Sequence, residues 1–355
     1  MPKICIISPS LKLGGIERAL TVLAKQFVEK GFQVDFVCCL AGEHFYVLPG
    51  SVAIHEPDFR RTSSFLNKLF YYPRLLVYIR LKVKDINPDR VLVFGDWFSP
   101  VTLLALLGTK YPVYISDRTI PDYKFKFPIP QLKKWLYPKS KGFIAQTQRA
   151  KDFKETLFGN KLNIKIIPNA LPDLKFPEAN REKFILYAGR FAWEKDPEII
   201  IRSMPKVFEV FPDWKLVMAG SGPLLESMRN LVKELNLEEN VLFLGKVNKV
   251  ERLFAKSSIL VLPSVVEGFP NTLIEGMSAC LPCICFSDIP YEDIVTPGLD
   301  GVVLDRRDPE LLADSIITLI NKSELRKDLG KEASKVKERF SASTIADHVI
   351  SFMKL

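Results

Sequence analysis

The chain has 355 residues with 50 Lys and Arg against 41 Asp and Glu, a net charge of +9, and at roughly 150 residues per domain that length predicts two domains. A composition 47% hydrophobic and 26% charged, with no low-complexity stretch and no repeat at solenoid period, excludes a fibrous, disordered or repeat architecture. Residues 1–180 hold 27 Lys and Arg against 15 Asp and Glu, a surplus of 12, whereas the remainder holds 23 against 26. The first half is therefore expected to face an anionic partner: a membrane surface, a phosphorylated substrate or nucleic acid.

MPKICIISPS opens the chain. Its apolar run is too short for a signal core and lacks a basic leader, so it is read as a first buried strand over 3–8. No stretch gives about 18 uninterrupted apolar residues, which predicts no transmembrane helix and a cytoplasmic protein. A helix is expected over 17–31, closed by a glycine, then strands over 33–40, 89–96, 111–117 and 142–147. Two intervening segments, 65–84 and 124–142, mix Lys and Arg with Trp, Tyr and Phe. They read either as a surface for anionic lipid, with Lys133, Lys134 and Lys141 as contacts, or as core helices with solvated lysines.

Three prolines and several turn formers over 166–183 break the periodicity and mark the domain boundary. The expected organisation is a first domain over 1–167, a linker over 168–182, a second domain over 183–335, and a C-terminal helix over 336–355 packing back on the first domain. The second half repeats the alternation, with strands expected over 183–190, 214–222, 240–247, 257–264 and 281–288 and amphipathic segments over 197–211 and 223–236. Strand–helix alternation of this kind predicts doubly wound parallel sheets. Cys280, Cys283 and Cys285 have the look of half a metal site, but no histidine is near, and all six cysteines are read as reduced core residues.

Three stretches carry candidate chemistry. In SVVEGFPNTLIEGMSA a helix is expected to begin near Pro270 and Asn271. Its free N–H groups suit a phosphate, Gly268 allows close approach, and Glu267 and Glu275 are placed to accept from hydroxyls on either side of it. The plainer alternative is a pair of solvated acids at a helix start. In AGRFAWEKDPE, Arg190 and Lys195 follow a strand, and Asp196 and Pro197 read as helix N-cap and N1. Cations at the carboxyl end of a parallel strand are placed to clamp a diphosphate. In SPSLKLGGIERAL, Gly14 and Gly15 resemble half of a phosphate turn, yet there is no G-x-G-x-x-G and Asp35 lies within the second strand, so a nicotinamide dinucleotide is rejected.

In that order, GGIERAL, IIPNALP, AGRFAWEK, MAGSGP and PSVVEGFPNTLIEGMSACLP resemble the motifs of the family-4 retaining glycosyltransferases, nearly end to end; the last is similar to the family's E-x7-E signature. The resemblance implies the α/β GT-B fold, two Rossmann-like doubly wound domains facing across a cleft. It implies a hexose or N-acetylhexosamine moved from a nucleotide-diphosphate sugar, UDP-sugar first and GDP-mannose next, with retention and no bound metal or other cofactor. By the same resemblance Arg190 and Lys195 hold the diphosphate, Glu275 the ribose and Glu267 the transferred sugar. Main-chain amides of Phe269, Asn271, Thr272 and Leu273 line sugar and phosphate. Gly220 and Gly222 shape the floor near the base, Lys246 and Val247 flank it, and Gly14 and Gly15 close over the diphosphate.

There are departures from the family pattern. Cys280 stands where the family usually has glycine, and none of His44, His55 and His348 falls where relatives carry a histidine near the reacting sugar. Asp117 and Arg118 are what the chain offers there, as donor or acceptor contacts or as a local ion pair. The expected acceptor is a lipid-linked glycan at the inner face of the plasma membrane, in polysaccharide, O-antigen or capsule assembly, with no nucleic acid involved. The alternatives are a GT-B sugar-nucleotide epimerase and a membrane or nucleic-acid binding module.

Overall fold

The computed structural model describes residues 1–60 and 65–355, and the side chains of all of these except 65–69. The start of the predicted basic-aromatic segment 65–84 thus lies outside the described side chains. The chain forms two compact units, Met1–Pro172 with Ala342–Leu355, and Asp173–Ser341.

The first unit runs β1 (Lys3–Ser8), α1 (Gly15–Glu29), β2 (Gln33–Cys38), β3 (Ala53–His55), α2 (Phe65–Ile86), β4 (Arg90–Phe94), α3 (Phe98–Ala105), β5 (Val113–Ser116), α4 (Ile129–Leu136), β6 (Gly142–Ala145), α5 (Gln148–Phe158) and β7 (Ile164–Ile166). All seven strands are parallel, in the order β3-β2-β1-β4-β5-β6-β7. Helices cover both faces, so the central strands are apolar without alternation: Ile4, Ile6 and Ile7 of β1 have no exposed surface. The apolar side of α1 (Leu20, Leu23, Phe27) forms one core layer, while α2, α3 and Leu136 of α4 enclose the other. The predicted helix over 17–31 begins two residues early, and Gly31, with φ +85°, ends it as expected.

The second unit contains β8 (Phe184–Ala188), α6 (Pro197–Val210), β9 (Lys215–Ala219), α7 (Leu225–Glu234), β10 (Val241–Gly245), α8 (Val250–Lys256), β11 (Ile259–Leu262), α9 (Asn271–Ser278), β12 (Cys283–Phe286), β13 (Val302–Leu304), α10 (Pro309–Asn321), α11 (Ser323–Ala333) and α12 (Val336–Arg339). Its parallel sheet has the order β10-β9-β8-β11-β12-β13. The C-terminal helix expected over 336–355 is two helices, and α12 stays with the second unit. The last, α13 (Ala342–Met353), belongs to the first unit. Its Ile345, Ala346, Val349 and Met353 complete the α1 layer, and Arg90 of β4 donates to the Met353 carbonyl (2.7 Å). The edge strands β3, β7 and β13 have three residues each and give no periodic signal in the sequence.

Five cysteines are buried, and burial pushes the Cys38 and Cys285 thiols up to about 12, so they stay protonated. Cys280 is exposed in the turn before β12 with φ +58°. A left-handed position explains why glycine is the easier residue there.

Candidate functional site

In a doubly wound sheet the crevice lies at the carboxyl ends of the two strands where the winding reverses. In the second unit those strands are β8 and β11, the central pair from which successive connections run in opposite directions. The loop after β8 carries Arg190 and Lys195, and the loop after β11 carries Glu267 and leads into α9. The predicted cations, the acid and the helix start thus converge on one switch point.

Lys195 Nζ donates to Glu267 Oε1, which also accepts from Ser264 Oγ (2.7 Å). Both members of the pair are mostly shielded from solvent. Arg190 is largely exposed and pairs with Glu194 four residues on. The Glu194 carbonyl accepts from the Val265 N–H (3.0 Å), so this residue ties the two loops together through its main chain as well. The Tyr187 hydroxyl donates to the Arg190 carbonyl (2.8 Å), and burial holds that phenol well above its ordinary pKa.

Gly220 and Gly222 owe their identity to backbone packing. A Cβ on Gly220 (φ +142°) would meet the Gly189 carbonyl oxygen at 1.8 Å, and one on Gly222 would meet the Phe191 oxygen at 2.3 Å. The loops after β8 and β9 are in contact there, sewn by Gly189 N–H to Ala219 O (2.9 Å) and Phe191 N–H to Ser221 O (3.1 Å). Lys246 and Val247 are exposed just past β10, the edge strand.

The helix α9 starts at Asn271, as expected, with Glu275 buried at 6% exposure in its second turn. That burial contradicts the alternative of a solvated acid. The Asn271 and Leu273 amides donate to the Phe269 and Pro270 carbonyls (2.9 and 3.0 Å). Of the four amides expected to line the ligand, these two are turned into the loop instead. The Phe269 side chain is buried against Phe340, with ring centres 6.0 Å apart.

In the first unit Gly14 is the N-cap of α1, with no side-chain cap, and a Cβ on Gly15 would meet nothing within 4 Å. Beside this loop lies an open cavity of about 1020 Å³, lined among others by Lys12, Leu13, Gly42, His44 and Glu56. His44 Nε2 lies 3.2 Å from Glu56 Oε1, and His55 pairs with Asp35 at 2.8 Å.

Asp117, expected to contact sugar or acceptor, turns inward. Its Oδ1 accepts from the Tyr137 hydroxyl (2.5 Å), and its Oδ2 from Lys154 (2.5 Å) and Lys133 (3.1 Å). Burial alone would raise this carboxyl, but the two ammonium groups hold it below its ordinary 3.8. Lys133 also reaches Asp96 Oδ1 at 2.6 Å, and Asp96 Oδ2 accepts from the Arg118 and Thr119 amides (3.0 and 3.2 Å). Arg118 does not pair with Asp117. Its guanidinium lies 3.5 Å from the Phe94 ring centre and donates to Asn169. Burial pushes it down to about 9, with Asp96 and Asp117 pulling the other way, so it is charged at neutral pH. Lys133, counted from sequence among surface lysines, is 8% exposed and is an interior cation.

The residues sequence reasoning missed are Asp96, Lys154, Tyr137, Glu194 and Ser264. Only Glu194 had a local signal, its i+4 spacing from Arg190.

The family model described as Glycosyl transferases group 1 matches residues 173–336, and that of Glycosyltransferase Family 4 matches 13–173. A Campylobacter jejuni relative described as GalNAc-alpha-(1->4)-GalNAc-alpha-(1->3)-diNAcBac-PP-undecaprenol alpha-1,4-N-acetyl-D-galactosaminyltransferase is 27% identical over 98% of this chain and 97% of its own. The amylovoran biosynthesis glycosyltransferase AmsD of Erwinia amylovora is 25% identical over 90% of each chain. Among solved structures, Anabaena HepE with UDP and glucose superposes with a TM-score of 0.81 at 16% identity, covering 100% of both chains.

Proposed function

The chain belongs to glycosyltransferase family 4, with the GT-B fold and hexosyltransferase activity, and on that premise we propose that it moves a hexose or N-acetylhexosamine, with retention, from a nucleotide-diphosphate sugar to a lipid-linked glycan. The observation that carries the donor half is the convergence of Arg190, Lys195, Glu267 and the α9 N-terminus on the β8/β11 switch point. The acceptor half is supported by the undecaprenol-linked substrate named for the C. jejuni relative. Among nucleotides UDP comes first, since HepE is described with UDP and glucose, and GDP-mannose next.

In this reading the diphosphate lies at the start of α9 and takes a share of the Lys195 ammonium from Glu267. The Glu267 carboxylate is then available to hydroxyls of the transferred sugar. Arg190, exposed and paired with Glu194, swings to the same phosphates. Negative charge grows on the β-phosphate as the glycosidic bond breaks, and cations and N–H groups aimed there stabilise the transition state more than the ground state. Losing one such group costs about 3–4 kcal/mol by analogy with oxyanion holes. Glu275 accepts from the donor ribose, Lys246 and Val247 border the base, and the reaction calls for no bound metal. The departing phosphate oxygen takes the proton of the attacking acceptor hydroxyl.

The protein further acts at the inner face of the plasma membrane without crossing it. Among the described residues no helix is long and apolar enough to span a bilayer. Phe70, Val77 and Leu81 form an exposed stripe on α2, and Phe127 and Trp135 stand out around α4. Neither 65–84 nor 123–141 contains an acidic residue. Apolar tips among lysines and arginines suit anionic headgroups. Vesicle co-sedimentation checks this with Lys134→Glu/Lys141→Glu, which leaves the interior Lys133 alone; binding equal to the parent's overturns it.

The donor reading is tested by thermal-shift titration with UDP, GDP, ADP, TDP and CMP. A ligand at 100 times its Kd adds about 2.7 kcal/mol, a shift of several degrees. A shift with one diphosphate is expected; no shift with any of them overturns the reading.

A further inference from the structure

Arg307 lies between β13 and α10, far in sequence from every donor-site motif. Its side chain runs over the carboxyl ends of the neighbouring strands. Nη1 donates to Asp288 Oδ2 beyond β12 (3.1 Å) and to the Ser264 carbonyl beyond β11 (3.3 Å). Nη2 donates to the Pro263 carbonyl and to Asp196 Oδ2 beyond β8 (2.6 Å). The guanidinium also lies 4.5 Å from the Phe286 ring centre, which fixes its plane. One side chain thus bridges the loop that ends in Lys195–Asp196 and the loop that holds Ser264–Glu267.

Asp196 shows the effect of this bridge. It occupies the N-cap position of α6, as the sequence predicts, but its side chain makes no cap hydrogen bond. Its backbone is left-handed at φ 37°, ψ 61°, a conformation that costs free energy in a residue with a Cβ. The capping bond is given up and the strain is tolerated where the carboxylate meets Arg307. The groups that set the pair adjoin these contacts: Ser264, whose carbonyl Arg307 binds, donates its Oγ to Glu267, and Lys195 directly precedes Asp196.

We propose that Arg307 is a positioning residue for the donor site, a clasp that holds the β8 and β11 loops in the register that brings Lys195 to Glu267. It acts through Lys195 and touches no reacting atom, and its functional role rests on the donor-site reading above. A planar fork with several donors suits this role, since an ammonium has only three donors and cannot hold two carboxylates and two carbonyls.

Two measurements test it on the full chain. Amide hydrogen exchange without ligand compares the parent with Arg307→Ala; faster exchange is expected in 189–196 and 263–270, with β8 and β11 themselves unchanged. Unchanged exchange in both loops overturns the clasp. Titration with UDP and with GDP then compares the parent, Arg307→Ala, Lys195→Ala and the double variant. Arg307→Ala alone is expected to weaken binding about 10-fold, and to add less than about 2-fold on top of Lys195→Ala, because groups acting as one unit are not additive. Losses that multiply in the double variant overturn action through Lys195. If Arg307→Ala melts out, Arg307→Lys is read in the same assays and is expected to loosen the same two loops; parent-like behaviour of Arg307→Lys overturns the requirement for the fork. A parent that binds none of UDP, GDP, ADP, TDP and CMP overturns the donor-site reading and the positioning role with it, while the exchange result still decides whether the clasp exists.

Discussion

Replacing Lys133 by methionine is expected to destabilise the first unit severely, although the sequence places this lysine in a surface-like basic run. The magnitude follows from its contacts. Lys133 Nζ lies 2.6 Å from Asp96 Oδ1 and 3.1 Å from Asp117 Oδ2, in a site where all three side chains are buried. Removing one partner of a buried ion pair costs about 3–5 kcal/mol, because an uncompensated charge stays behind. Asp117 keeps Lys154 and Tyr137. Asp96 keeps two main-chain N–H donors but no cation among its hydrogen-bond partners. The loss is therefore expected near the lower bound, about 3 kcal/mol. Methionine preserves the aliphatic volume, so a cavity adds little. For a unit of this size 1 kcal/mol moves Tm by about 2–4 °C, which gives a fall of roughly 6–12 °C by differential scanning calorimetry. The exposed Lys134→Met is the control, at under about 0.5 kcal/mol. Equal melting of the two variants would refute the interior network.

The same network sets an acid limit. Asp117 is held below its ordinary 3.8, so its contribution to stability is fully present above that value and lost as pH falls through the lower folded one. Urea midpoints should hold steady down to about pH 5 on this account, and a loss starting near pH 6 would contradict it. Cys280→Gly is expected to stabilise by roughly 0.5–1 kcal/mol, since it relieves a φ of +58° at an exposed turn; a lower Tm would speak against strain there. Gly220→Ala forces a Cβ to 1.8 Å from the Gly189 oxygen and should cost about 3 kcal/mol or more, with weaker nucleotide binding as the loops after β8 and β9 part. A melt indistinguishable from the parent's would refute that close approach.

Long-range architecture was legible because parallel strands buried on both faces write continuous apolar runs, as in KICIIS and SSILVLPS. The short edge strands were not, because three residues carry no period. The residues at the β8/β11 crevice were legible because motif spacing fixes which loop each occupies, and the strand order brings those loops together. Side-chain direction was not legible. ISDRTIPDY gives no sign that Asp117 faces Lys154, 37 residues away, or that Lys133 points inward while Lys134 points out. Those choices are made by the charges each side chain meets in the fold, as is the reach of Arg307 to Asp196 across 111 residues.

The most direct test of the account is calorimetric titration of the preferred nucleoside diphosphate into the parent and into Lys195→Ala. If the ammonium now paired with Glu267 is the group that receives the diphosphate, its loss removes a charge-assisted contact worth about 1.5–3 kcal/mol, so Kd should rise roughly 10- to 100-fold. Affinities within twofold of each other would mean that the diphosphate lies elsewhere and that the crevice between β8 and β11 is not the donor site.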